Sequence, residues 1–149
     1  MDVLYVRQSP EPVTDAPGRR VDLEEALHRA DFVSLHVPLT DATRGMIGAR
    51  ELASMKPTAV LVNTSRGAVI DQGALVAALE GGHLAAAALD VAEQEPIPPG
   101  DPLLSAPRLL LTPHIGSASI RTRTRMADLA IDNCLAALTG RPMPHEKRA

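Results

Sequence analysis

Five short runs of Val, Leu, Ile and Ala recur along the chain, each closing on polar or glycine-containing residues: Val3 to Val6, Phe32 to His36, Ala59 to Asn63, Leu84 to Val91 and Leu109 to Thr112. Continuous apolar runs of this length are the pattern of strands buried on both faces. Between them the apolar positions take a helical spacing with readable ends. Asp22 and Glu25 form a capping box that opens DLEEALHRA, while Asp71 caps QGALVAALE, which Gly81 and Gly82 close. A shorter helix is predicted from about Ala49 to Met55, ahead of Pro57, and a long one from Ala118 to about Leu138, stopped by Gly140. Strands alternating with helices predict an α/β fold built on a parallel, doubly wound sheet. The proline-rich stretch from Glu93 to Pro107 is the one long loop, and long loops in compact domains are disproportionately functional. The charged tail after Gly140 reads as loose.

Composition narrows the function classes. At 149 residues and 45% hydrophobic, the chain can build one core but not two full domains. A formal charge of -3 with mixed signs supplies no basic field for nucleic acid, and Arg121, Arg123 and Arg125 read as a solvated helix face. No apolar run approaches the ~20 residues that cross a bilayer, and Met1 is followed by Asp2 rather than by a basic signal-peptide start. A cytoplasmic protein with neither membrane nor nucleic-acid partners is expected. Cys134 is the single cysteine, which suits a reducing compartment, and its apolar helix setting predicts a core thiol. With Tyr5 and Phe32 the only aromatics, the core must be aliphatic and base-stacking platforms are lacking.

Ligands of such sheets bind beyond the carboxyl ends of the strands, so the residues after each apolar run carry the chemistry. They are His36, Val37 and Pro38; Asn63, Thr64, Ser65, Arg66 and Gly67; Asp90 and then Glu95; and Thr112, Pro113, His114, Ile115 and Gly116. Singly each has an ordinary structural explanation: Arg66 as a surface arginine, Glu95 as a loop acid, Asp90 as an acceptor for turn amides, His114 as a helix cap, His36 as a strand end. Together they bring an arginine, two carboxylates and two histidines toward one edge, a costly gathering without a ligand. Gly67 behind Arg66 lets the backbone approach a ligand closely. No pair of histidines or carboxylates has helical ligand spacing beside a third ligand, so no metal site is predicted.

The runs LVNTSRGAVID, ALVAALEGGHLAAAALDVAEQEP and LLLTPHIGSAS, with LHVPLTDATRGMIG ahead of them, resemble the signature segments of the D-isomer-specific 2-hydroxyacid dehydrogenases, in order, from Met1 to about Gly140. The resemblance implies an NAD(P)-dependent oxidoreductase of the glyoxylate/hydroxypyruvate reductase kind, with a small 2-oxo or 2-hydroxy acid as substrate. It implies Arg66 as the substrate-binding arginine, His114 as the proton donor and Glu95 as its acid partner. Asp90 matches the acceptor of the nicotinamide carboxamide, and His36, Val37, Pro38, Thr64, Ser65, Ile115, Gly116 and Ser117 line the cofactor with Arg66 and His114. These roles fit the chemistry: hydride delivered to a carbonyl carbon loads negative charge on its oxygen, which a histidinium held by a carboxylate can protonate. The planar fork of an arginine matches a carboxylate in two-point fashion. Formate dehydrogenases resemble this segment but use glutamine where Glu95 stands. Corepressors of the same family retain the triad, so the alternative is a nucleotide-sensing interaction module or a degenerate remnant.

Two departures from the family pattern stand out. No GxGxxG occurs, and the second strand of the dinucleotide fold, matched here by Val3 to Val6, ends on Arg7, Gln8 and Ser9 in place of an acidic residue. Arg7 can pair with a 2′-phosphate, which favours NADP slightly over NAD. The expected organisation is a partial Rossmann-like domain over 1–117 without its first strand and glycine-rich loop, a long helix over 118–140 returning toward a substrate domain, and a loose tail over 141–149. In the order 3-2-1-4-5-6 the first strand lies between the second and the fourth, here Ala59 to Val62, so the polypeptide alone is expected to be incomplete as an enzyme. A homodimer is expected of the longer parent.

Overall fold

The computed structural model of the chain describes residues 1–7 and 18–146. Gln8 and Ser9, and the end of the tail, lie outside the described residues. Two compact units are present, Met1–Pro113 and His114–Ala149.

The first unit is built on a four-stranded parallel sheet, β3 (Phe32–Leu35), β4 (Val60–Asn63), β5 (Ala86–Leu89) and β6 (Leu109–Leu111), in that spatial order. A separate two-stranded parallel sheet pairs β1 (Leu4–Tyr5) with β2 (Arg19–Arg20). The register matters for function, because Leu35 pairs with Asn63, Asn63 with Leu89, and Leu89 with Leu111. All four strands therefore end in one row, and whatever follows them emerges along one edge.

Three helices cover the sheet: α1 (Leu23–Arg29), α2 (Ala49–Ser54) and α3 (Gln72–Glu80). The starts of α1 and α3 are fixed by side-chain caps, with Asp22 accepting from the Glu25 N–H at 2.7 Å and Asp71 from the Ala74 N–H at 3.0 Å. The helices pack in a row, α1 on α2 and α2 on α3. Leu27, Leu52, Leu75 and Leu79 from this layer meet Leu35, Leu61, Ala87 and Leu89 from the sheet in one core. Removing a side chain such as Leu79 would cost about 2–5 kcal/mol. Full burial falls on alternate strand residues only: Leu61, Asn63, Ala87 and Leu89 are buried, whereas Val60, Val62, Ala86 and Ala88 are half-buried. Strands buried on both faces were expected, but among the described residues these helices form a single layer.

Strand β2 was not expected, since two adjacent arginines carry no apolar signal. Its backbone makes the strand, through Arg19 N–H to the Val3 carbonyl at 2.9 Å and Val21 N–H to the Tyr5 carbonyl at 3.1 Å. Gly18 permits the approach, because a Cβ there would overlap the Val3 carbonyl. Strand β2 takes the place beside β1 that the expected numbering left to Phe32 to His36. The expected neighbour of the gap, Ala59 to Val62, is consequently interior as β4, and β3 is the edge, with Phe32 74% exposed.

In the second unit, α4 (Ile120–Leu138) starts two residues later than expected because Ser119 is its cap, accepting from the Thr122 N–H at 3.1 Å. It ends in a Schellman motif: Arg141 N–H reaches the Ala136 carbonyl at 2.8 Å, Gly140 N–H reaches that of Ala137 at 3.1 Å, and Gly140 takes φ +67°. Cys134 is exposed, contrary to the core thiol expected, since Ala136 is the buried residue of this helix. The segment after Gly140 is tied back, His145 N–H donating to Asn133 Oδ1 at 3.0 Å.

Candidate active site

After β3 the chain turns through His36, Val37 and Pro38. His36 is exposed with Nε2 2.8 Å from Ser34 Oγ, and Val37 packs half-buried against the core. The buried Thr43 hydroxyl donates to the Pro38 carbonyl at 2.6 Å, which fixes the turn from beneath.

The turn after β4 is built around Asn63, whose side chain is fully buried. Its Oδ1 accepts from both the N–H and the hydroxyl of Ser65, at 3.0 and 2.8 Å, and its Nδ2 donates to the Arg66 carbonyl at 2.9 Å. An Asx turn is thereby closed over a satisfied buried amide. Leaving those groups unpaired would cost about 1–3 kcal/mol each. Thr64 is exposed at the crown of the turn and Ser65 half-buried. The Arg66 side chain is exposed, with Nη1 donating to the Ser65 carbonyl at 2.6 Å, and no carboxylate pairs with it among the described residues.

Gly67 is where close approach is needed, but its neighbour is protein rather than ligand. A Cβ at this position would overlap the Ala92 carbonyl and the Glu93 nitrogen. The Arg66 turn is thus pressed onto the backbone that leads to Glu95. On its other side Ile47 and Ile70 form a parallel bridge, with Ile47 N–H to the Val69 carbonyl at 3.1 Å. After β5, Asp90 is only 6% exposed, and one of its oxygens accepts the Thr112 hydroxyl at 2.6 Å. Glu95 is exposed and follows the loop, its Oε1 accepting from the Ala92 N–H at 3.0 Å.

The model of the D-isomer specific 2-hydroxyacid dehydrogenase family, NAD binding domain, matches residues 1–116. The chain belongs to this family. It is 55% identical over 125 residues to a glyoxylate reductase of Korarchaeum cryptofilum, covering 84% of the chain and 38% of that relative. It is 47% identical over 143 residues to a glyoxylate/hydroxypyruvate reductase B of Citrobacter koseri, covering 95% of the chain and 44% of that relative. The TT0316 protein of Thermus thermophilus superposes with a TM-score of 0.89 at 49% identity, over 97% of the chain and 45% of that protein. The chain thus spans less than half the length of these relatives.

For a member of this family, the carboxyl edge of the first unit has a donor set that suits a nicotinamide dinucleotide. A buried carboxylate acceptor, Asp90, directly follows β5, as the exposed Thr64 follows β4 and the exposed His36 follows β3. The fold brings together Asp90, the Arg66 turn and the Glu95 loop within the first unit. Four of the sequence candidates belong to the second unit: His114 is exposed in the left-handed region at φ 53°, Ile115 and Gly116 are exposed, and Ser117 is half-buried. Arg7 is exposed just after β1, and Arg20 Nη2 donates to its carbonyl at 2.9 Å. A second guanidinium therefore reaches the end of β1, unforeseen because β2 was unforeseen. Asn63 and Thr112, expected only as members of the strand-end set, prove to shape it through their hydrogen bonds. A strand-ending Asn followed two residues later by Ser was the signal for the first. No helix among the described residues is long and apolar enough to cross a membrane.

Proposed function

We propose that the protein carrying this chain reduces a small 2-oxo acid such as glyoxylate or hydroxypyruvate, or oxidises the corresponding 2-hydroxy acid, with a nicotinamide dinucleotide. One observation carries the reading: Arg66 holds an exposed guanidinium, unpaired with any described carboxylate, on a turn locked by Asn63 and Gly67 at the carboxyl edge of a family sheet. A fixed guanidinium fork is the receptor a 2-oxo acid carboxylate requires. The bound dinucleotide supplies the hydride. Arg66 holds the acid and polarises its carbonyl, His114 donates the proton that the growing oxyanion takes up, and Glu95 serves as the acid member of the family's catalytic set. Asp90 accepts from the carboxamide. Glyoxylate and hydroxypyruvate are favoured because the relatives carry those names. Arg7, with Arg20 beside it, favours NADPH through the 2′-phosphate.

The test is steady-state reduction of both acids by the full-length protein with NADPH and with NADH. Arg66→Lys keeps the charge and loses the fork, and should lower kcat/KM by about 10- to 100-fold, mostly through KM. Absence of turnover on either acid, or an unimpaired Lys variant, would refute the reading. A strong NADH preference in the wild type would refute the role of Arg7.

A further inference from the structure

The loop that delivers Glu95 is held at both ends by one side chain, which lies between the segments LVNTSRGAVID and ALVAALEGGHLAAAALDVAEQEP. Gln72, the first residue of α3, is half-buried. Its Oε1 accepts from the Glu93 N–H at 3.2 Å, and its Nε2 donates to both carboxylate oxygens of Asp101, at 3.1 and 3.2 Å. We propose that Gln72 is a positioning residue for the reaction, holding segment 93–101 so that Glu95 is presented in its working place. The proposal rests on the assignment of Glu95 made above.

The chemistry of the tie is specific to an amide. The Glu93 N–H can only donate and the Asp101 carboxylate can only accept, so one carbonyl and one NH2 on a single side chain are needed, in one orientation. Asp101 is itself committed, since its Oδ1 accepts from the Leu103 N–H at 2.8 Å and Leu103 is buried to 1% exposure. The far end of the segment is therefore anchored in the core, and Gln72 links that anchor to Glu93. From Glu93 the restraint passes to the site in two residues. Ala92, next to Glu93, lies against Gly67 of the Arg66 turn and donates its N–H to Glu95 Oε1. Glu93, Gln94, Glu95 and Pro96 are all exposed, so packing alone does little to hold this half of the loop. Ile97 and Leu103 contact the core and would keep the fold when Gln72 is changed.

The amide logic gives a reciprocal test in the full-length protein. Gln72→Glu still accepts from Glu93 but sets a carboxylate against Asp101. Asp101→Asn, with Oδ1 retained by Leu103, keeps the bond from Nε2 to Oδ1 but sets an NH2 against the NH2 of Gln72 where Oδ2 stood. The double variant Gln72→Glu/Asp101→Asn keeps the acceptor for Glu93 and restores a donor facing an acceptor where Nε2 met Oδ2. Gln72→Ala removes the tie outright. Each single variant should lower kcat by roughly 3- to 10-fold, the scale of one or two neutral hydrogen bonds, with KM for the 2-oxo acid little changed. Each should speed hydrogen exchange at the Glu93 amide. Each should also displace the kcat–pH profile in the same direction as Glu95→Gln displaces it. The double variant should recover kcat, profile and exchange together. Single variants with wild-type kcat and profile, beside a displaced Glu95→Gln profile, would overturn the role of Gln72 and leave that of Glu95 standing. So would faster exchange with an unmoved profile, or a double variant no better than the singles. An unmoved Glu95→Gln profile would instead strike the assignment of Glu95, and this proposal with it.

Discussion

His114 sits at φ 53°, a conformation that costs most side chains about 1–3 kcal/mol but that His, Asn and Asp tolerate better than others. Removing the imidazole with alanine therefore mixes two effects, lost chemistry and altered backbone preference. His114→Asn separates them, because asparagine accepts the left-handed backbone and cannot carry the proton as a cation. In the full-length protein this variant should lose turnover by on the order of 10²–10⁴-fold while its melting temperature stays near that of the wild type. Near-normal turnover, measured in a single round with reduced cofactor bound, would remove His114 from the proton-donor role. At this scale the placement of Arg66, Asp90, Glu95 and His114 beyond strand ends was legible, because all follow apolar runs. It was silent wherever a polar residue serves the interior. Asn63 and Gln72 are neutral amides whose partners, Arg66 and Asp101 among them, become neighbours only through folding. Gly67 was legible as a close approach, but not as an approach to Ala92.

Helix ends were the most legible elements, because a cap needs its partner only three residues away. Asp22 and Asp71 each cap the helix they were expected to open. The start of α2 is different, since Gly48 has no side chain to cap with. Glu51 reaches back instead, its Oε2 accepting from the Gly48 N–H at 3.2 Å while Oε1 pairs with Arg50 at 2.8 Å. Arg50 foremost, with backbone N–H donors including that of Gly48, holds the Glu51 carboxyl below its ordinary value of 4.5. A carboxyl more acidic in the folded than in the unfolded chain binds fewer protons when folded. Its stabilising effect is therefore complete above the ordinary value and fades as pH falls through the lower folded one. Glu51→Gln should lower the melting temperature of the full-length protein by roughly 1–4 °C near neutrality, and the difference should narrow as pH falls below the ordinary carboxyl value. A gap that persists unchanged in acid would mean that packing, not charge, is what the glutamate contributes. Strand β2 marks the limit of legibility for elements. Its two arginines turn outward, Arg19 to Glu25 at 2.5 Å and Arg20 to the Arg7 carbonyl, so pairing with β1 is purely a matter of backbone.

For the whole molecule, the parallel α/β plan was legible from the alternation of runs and helices, whereas the order of strands was not, because one unseen strand shifted the numbering by one place. The consequence is physical. Strand β3, not β4, carries an edge that pairs with no other described strand, and it opens on a 74% exposed Phe32. A parallel sheet edge with an exposed aromatic invites pairing with another chain. Strands β1 and β2, of two residues each, form a ribbon of a kind that is marginal in water by itself. In the second unit Ile120, Met126, Ile131, Leu135 and Leu138 are all at least 50% exposed along α4. Against a net stability of ~5–15 kcal/mol for an ordinary domain, uncovered apolar surface on this scale is decisive. The 149 residues expressed alone should therefore aggregate or melt without a cooperative transition, and NADPH should not raise the melt. A longer polypeptide, of the length of the reductases it resembles, should melt cooperatively and respond to cofactor. Thermal scans of the two side by side, with and without NADPH, are the measurement. A sharp transition in the shorter chain, raised by NADPH and accompanied by glyoxylate reduction, would show that the open edge of β3 and the bare face of α4 cost the molecule nothing.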